Sequence, residues 1–179
     1  AQKDETIQRE TQFPNSVDEV VFSGPHIYVS NPYYKTPRAL CNTPRAYDNI
    51  DLVYLPNDYV QRTNYIPACE PDQYLFRTPS VSWKPTTKVT ALYRIGYRGM
   101  LSQSGERTLT PALLPKGPGH INGVMSVCYR KTPNLILAQA ISASLIGDFY
   151  IKTTGSANLH HKWEELPLLK ETPQLFSRN

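Results

Sequence analysis

The chain has 179 residues, enough for one domain with a proper core, or one domain plus a small appendage. Its 40% hydrophobic residues and 12 tyrosines argue against disorder, and its longest apolar tract, near residues 135–146, is interrupted by Gln139, Ser142 and Ser144, which argues against a membrane span. The net charge of +4 is modest but uneven: residues 1–22 hold five acids and two bases, whereas residues 73–147 hold nine Lys/Arg and one acid, a block that attracts polyanions.

Residues 1–22 read as a polar lead-in, ragged or briefly helical, ahead of a single domain over 23–179. A strand-favouring segment follows at 20–34, with Val20, Val21, Phe22, Ile27, Tyr28 and Val29. The Pro/Arg-rich loop after it contains Thr-Pro-Arg twice, too few copies for a structural repeat. Residues 46–79 alternate Tyr, Asp, Asn and Pro and predict irregular structure around short strands, with a helical turn at 71–76. Strands are expected over 88–97, 108–114 and 120–129, with a turn at Gly117–Gly119. The spacing of Leu135, Ala138, Ile141, Leu145 and Phe149 predicts one long helix over 134–150, started by Thr132-Pro133-Asn134. A loop around Gly155 leads to a closing segment over 163–169. Sixteen prolines against nine glycines fit short strands and stiff loops. The expected class is α+β: twisted, mostly antiparallel β-structure with one long helix and a few short ones.

The three cysteines, Cys41, Cys69 and Cys128, are odd in number, far apart and without a CxxC pair. They predict free thiols in a reducing compartment rather than a disulfide framework or a zinc site. With no signal peptide in view, a soluble, cytoplasmic chain is expected. The chain opens at Ala1-Gln2 and its first methionine is Met100, so a piece of a longer protein is expected, with catalytic parts elsewhere.

No GxSxG, HExxH, P-loop or GxGxxG occurs, and the Ser, His and Asp residues are too scattered to nominate a triad. His160 and His161 with Glu164 and Glu165 imitate a metal cluster, but two ligands per helical face without a third predict a solvated helix start. No metal and no catalytic residue is assigned. Ser30-Asn31-Pro32-Tyr33-Tyr34 is similar to the Asn-Pro-Pro-aromatic loop that holds a flipped adenine in amino-methyltransferases. It lacks the second proline and an upstream Gly-rich cofactor loop, and so reads as a strand end turned by Pro32. Around Gly155, Lys152, Thr153, Thr154, Asn158 and His160 form a cluster of side chains able to reach phosphates and base edges. The plainer reading of that cluster is a polar connection after a helix.

Four stretches taken together resemble one family: SGPHIYVSNPYYKTPR (23–38), DYVQRTNYIPA (58–68), LSQSGERTLTPALLPKGPGHIN (101–122) and IGDFYIKTTGSANLHHKWEELPL (146–168). They are similar to the C-terminal target-recognition region of large adenine-N6 DNA methyltransferases, among them type IIG restriction–modification enzymes and phage-defence methylases. The ERTL…ALLP…HIN block followed by DFY…TTG…LP is the most specific part. The resemblance implies that the catalytic module, and the S-adenosylmethionine it would use, lie outside this chain, which itself needs no cofactor. The partners implied are double-stranded DNA and the parent's catalytic domain, with no membrane.

On this reading Arg94, Arg98, Lys116 and His120, together with Lys152, Thr153, Thr154, Asn158 and His160, hold the DNA backbone and present polar groups to the major groove. Lys35 and Arg38 join them as candidates. The electrostatic expectation is that the cations of 94–116 and 152–160 converge on one groove. Arg107 and Glu106 are expected to form a buried structural pair instead. The alternative reading is a protein-interaction module that docks onto a catalytic domain or partner subunit through a Tyr- and Pro-rich face (Tyr33, Tyr34, Tyr47, Tyr54, Tyr59, Tyr65).

Overall fold

The computed structural model of the chain, which describes residues 1–43 and 45–167, is an α+β arrangement of short strands, 3-10 turns and helices. Its strands are β1 (Ile7–Gln8), β2 (Val21–Phe22), β3 (Lys35–Pro37), β4 (Tyr47–Asn49), β5 (Ile66–Pro67), β6 (Ser80–Val81), β7 (Lys84–Lys88), β8 (Arg94–Arg98), β9 (Pro111–Leu114), β10 (Gly119–His120) and β11 (Val124–Val127). The helices are α1 (Pro71–Arg77), α2 (Thr132–Ala143) and α3 (Leu145–Thr153). Prolines explain the brevity of the strands, since each removes a ladder donor: Pro37 and Pro67 end β3 and β5, and Pro111 opens β9. Pairing is antiparallel except between β10 and β2, which run parallel.

The centre is a three-stranded sheet in the order β11-β8-β9. Side chains alternate across a strand, so β8 divides its residues between two layers. Ile95 and Tyr97 face the helices and form a core with Leu109, Leu135, Ala138 and Ile151, closed by Leu159 and Leu166. Arg94, Gly96 and Arg98 face the other way. Their cross-strand partners Leu114, Ala112 and Val124 pack there with Val20, Phe22 and Ile27 in a second core. Gly96 is what lets the second core close, because a Cβ at this position would lie 2.7 Å from the buried Leu114 side chain.

Several expectations change. The extended segment expected over 20–34 is strand only at Val21–Phe22, after which Gly24–His26 make a 3-10 turn, and the strand expected over 88–97 is interrupted by another 3-10 turn at Val89–Ala91. The strand expected over 120–129 is likewise two pieces, β10 and β11. The lead-in is part of the packed structure: β1 pairs with β5, Gln12 bridges Thr63, and Val21 and Phe22 are buried. The helical turn expected at 71–76 is α1. Pro44 and the end of the closing segment expected over 163–169 lie outside the described residues.

The long helix is two helices bent by 66° at Ser144. Ser144 leaves helical geometry (φ −70°, ψ 159°), accepts from the Gly147 N–H at 3.1 Å and donates from Oγ to the Ile141 carbonyl at 2.7 Å. Gly147 is required, because a Cβ would sit 2.3 Å from the Ile141 carbonyl oxygen. The apolar spacing does not locate this break: Leu145 and Phe149, which continue it past Ser144, are exposed, and α3 instead buries Gly147, Asp148 and Ile151. No single helix among the described residues is long and apolar enough to cross a membrane.

The break is secured from the ERTL segment. Arg107 Nη2 donates to the carbonyls of Ala143 at 2.8 Å and Ser144 at 3.2 Å, capping the end of α2. Asp148 accepts the backbone N–H groups of Thr108 and Leu109 at 2.8 and 2.7 Å, and lies 3.4 Å from Arg107 Nε. Arg107 is therefore structural, but its acidic partner is Asp148, and Glu106 is exposed. Removing the carboxylate would leave two buried N–H groups without their acceptor and a mostly buried guanidinium without its counter-charge. Asp148→Ala is expected to cost about 3 kcal/mol. Urea unfolding reads this as a lowered midpoint, and an unchanged midpoint would contradict it.

Candidate functional site

A groove of about 650 Å³ opens where four parts of the chain meet. The Gly24–His26 turn forms its floor, the β3–β4 hairpin one wall, and the end of β8 with Ile121 and Gly123 another; Arg9, Asn64 and Tyr65 complete it. Its lining includes Arg9, Lys35 and Arg98 and four tyrosines, and among the described residues no carboxylate. Among the described residues none of these three cations has an acidic partner within salt-bridge distance. Their field is thus uncompensated inside a concave, partly apolar surface, where it is screened less than on an open face.

Local structure explains how the groove is built. Ser30 adopts a left-handed conformation (φ 56°), strained for a non-glycine residue and held by its N–H to the Pro111 carbonyl at 2.7 Å. Asn31 Oδ1 then accepts from the Tyr33 N–H at 2.8 Å. This reversal lays Tyr28 against Tyr34, with ring centres 4.7 Å apart and planes 25° apart. Arg98 lies 5.8 Å from both ring centres and Lys35 Nζ lies 5.0 Å from that of Tyr34. Arg98 is anchored by Nε to the Gly24 carbonyl at 2.8 Å, and Arg9 by Nη2 to the Cys41 carbonyl at 2.9 Å. The run from Ser30 to Tyr34 is therefore a turn that stacks tyrosines, and its asparagine oxygen is committed to that turn.

Beneath the floor runs an ordered hydrogen-bond chain. The Ser23 N–H donates to His26 Nδ1 at 2.9 Å, which places the ring proton on Nε2, 3.2 Å from the Arg62 carbonyl. With Nδ1 bare, Ser23 Oγ donates to it at 3.0 Å and so accepts from the Tyr47 hydroxyl at 2.8 Å. Burial pushes the His26 pKa down to about 4, outweighing its hydrogen bonds to the Arg62 and Ser23 backbone. Burial likewise raises the Cys41 thiol above its ordinary value.

The sequence candidates fall into distinct places. Lys35 and Arg98 share the groove, and Arg9, which lay in the supposed lead-in, joins them there. Arg94 does not reach a ligand surface: it is 1% exposed and its Nη2 donates to the Pro118 carbonyl. Lys116 lies over the Tyr93 ring and opens onto a different cleft, one lined by Asp18, Glu19, Glu70 and Asp72. His120 is half-buried, with Nε2 2.8 Å from Ser126 Oγ, and burial lowers its pKa. Arg38 is paired with Asp48 at 2.9 Å on the surface.

In the Gly155 loop the Thr153 and Thr154 hydroxyls donate to the Tyr150 and Ile151 carbonyls, both at 2.7 Å, and so close α3. Lys152 Nζ donates to the Gly105 carbonyl at 3.3 Å. Asn158 and His160 are exposed, and the loop is tied beside the groove by Leu101 N–H to Ala157 O at 2.9 Å and Leu159 N–H to Gly99 O at 2.8 Å. His161 and Lys162 contact Glu164 and Glu165 on an exposed 3-10 turn. The cations of 94–116 and 152–160 therefore do not share one groove: one is sealed in, one faces carboxylates, and Arg107 caps a helix.

Arg9 and Asn64 were missed because they reach the groove through contacts distant in sequence. Arg9 meets Cys41 and Asn64 meets Thr11, pairings 32 and 53 residues apart with no local pattern to announce them. Comparison with protein-family models, curated proteins and solved structures finds no match.

The depressed His26 pKa makes stability pH-dependent. The native ring is neutral, whereas the unfolded ring takes up a proton as pH falls below its ordinary value of 6.5. Stability from this site is full above that value and is lost as pH falls toward 4, by about 3 kcal/mol in all. His120, shifted in the same direction, adds to the loss. Urea midpoints across this range should fall, and fall less steeply for His26→Leu. Equal slopes in the two proteins would remove His26 as the cause.

Proposed function

We propose that the chain is a DNA-binding target-recognition domain of an adenine-N6 DNA methyltransferase of the restriction–modification or phage-defence kind. It would read the recognition sequence for a catalytic domain outside this chain, where S-adenosylmethionine would act. The observation that carries this reading is the groove lined by Arg9, Lys35, Arg98 and tyrosines, with no carboxylate among the described residues. Guanidinium and ammonium groups without carboxylate partners gain most by meeting phosphates, whose release of counterions drives association. The Gly155 loop, fixed beside Arg98 with Asn158 and His160 exposed, supplies polar groups next to those contacts. The resemblance of the ERTL and DFY blocks to such domains agrees with this use. Here those blocks form the Arg107–Asp148 clasp, so they serve the scaffold and the groove serves the ligand.

Titration of a labelled duplex at rising salt tests the proposal. Affinity should fall linearly on a log–log plot, and Lys35→Ala should reduce the slope by about one. Lys116→Ala, in the acidic cleft, should leave the slope unchanged. Absence of binding at low salt, or binding indifferent to salt, would defeat the assignment.

A second reading, a protein-interaction module, is favoured by the outer side of α3, where Leu145, Ile146 and Phe149 are 74%, 69% and 68% exposed. This face differs from the Tyr-rich one that the sequence suggests. Partner capture that survives nuclease treatment, and is lost in Phe149→Ser, would favour it.

A further inference from the structure

We infer that the groove takes an unstacked nucleotide, one base wide, rather than the side of an intact duplex; this rests on the DNA-binding reading of the same groove. Volume is the first reason. About 650 Å³ falls in the range of small-molecule sites and suits a nucleoside with its phosphate, whereas a duplex could only lie across the mouth. The walls are the second. Tyr28, Tyr34 and Tyr65 line the groove, and a paired, stacked base offers no free face to a tyrosine ring.

The placement of charge is the third reason. Arg98 and Lys35 sit against the stacked tyrosines rather than projecting from them, so phosphate and ring contacts coincide at one point. A surface that only tracked a duplex backbone would need cations spaced along it, and Lys116 and Arg94 are withheld from that task by the acidic cleft and by burial. Aromatic rings joined with arginine in a groove are the chemistry of single-strand recognition. The nucleotide could come from a single strand or be displaced from a duplex, and the two sources are separable by experiment.

The whole chain is titrated with three labelled DNAs of one sequence: a short single strand, a matched duplex and a duplex with one mismatched pair. The single strand is expected to bind and to displace the matched duplex. Tyr34→Leu should weaken single-strand binding about tenfold, and matched-duplex binding by a clearly smaller factor. Tighter binding of the mismatched than of the matched duplex would identify a displaced base as the source, and equal binding would identify a free strand. Because Tyr34→Leu removes the Tyr28 stack and could disturb folding, the unaltered protein is also photocrosslinked to an iodouracil-substituted single strand, with cross-links expected on Tyr28, Tyr34 or Tyr65. Binding of duplexes alone, or cross-links only outside the groove, would overturn the inference and leave the DNA-binding reading intact. Failure of all three DNAs to bind would end both.

Discussion

The carboxylate of Asp148 is the point on which the arrangement depends. It gathers the Thr108 and Leu109 N–H groups and lies beside Arg107, whose guanidinium holds the carbonyls at the end of α2. One acidic side chain thus joins the approach to β9 with the junction of two helices. Without it the Thr108 and Leu109 amides would lose their acceptor, and the arginine that holds the carbonyls at the bend would lose its counter-charge. The bend in turn lets α2 and α3 cover Ile95 and Tyr97 together, so the main core depends on a polar contact at its edge.

From that core the sheet transmits position to the groove. Residues of β8 alternate between the two layers, and on the layer away from the helices they run Arg94, Gly96, Arg98. The first arginine is sealed beneath the Pro118 carbonyl, the glycine gives its space to Leu114, and the last emerges beside Gly24. Within five residues the same face passes from closed interior to open groove. The charge sign of the two concavities also differs, since the cleft near Lys116 is lined by carboxylates while the groove near Arg98 has none among the described residues.

How much of this was readable from sequence depends on the distance over which each feature is specified. The α+β class, α1 and the helical content after Thr132 follow from composition, from Pro71 at a helix start and from apolar spacing, all local signals. The break at Ser144 was hidden because Leu145 and Phe149 continue the apolar spacing past it, although both are exposed and Ile151 is the residue that α3 adds to the core. The basic block was visible as charge but not as geometry: whether an arginine is capped, sealed or open depends on the carbonyl it meets. For Arg94, Arg98 and Arg107 those carbonyls belong to Pro118, Gly24 and Ala143, between 24 and 74 residues away. Similarly, the tyrosine stack is set by the left-handed Ser30, a conformation that its residue type does not announce.

The anchoring of Arg98 has a bearing on how such a groove can diversify. Its Nε secures the turn that floors the groove, so replacing it would loosen the frame as well as the charge. Among the described residues the Lys35 ammonium rests on the Tyr34 ring alone, so its replacement would leave that frame in place. Such a division makes the surface adaptable: preference for one ligand over another can drift through the peripheral position while the anchored arginine keeps the architecture constant.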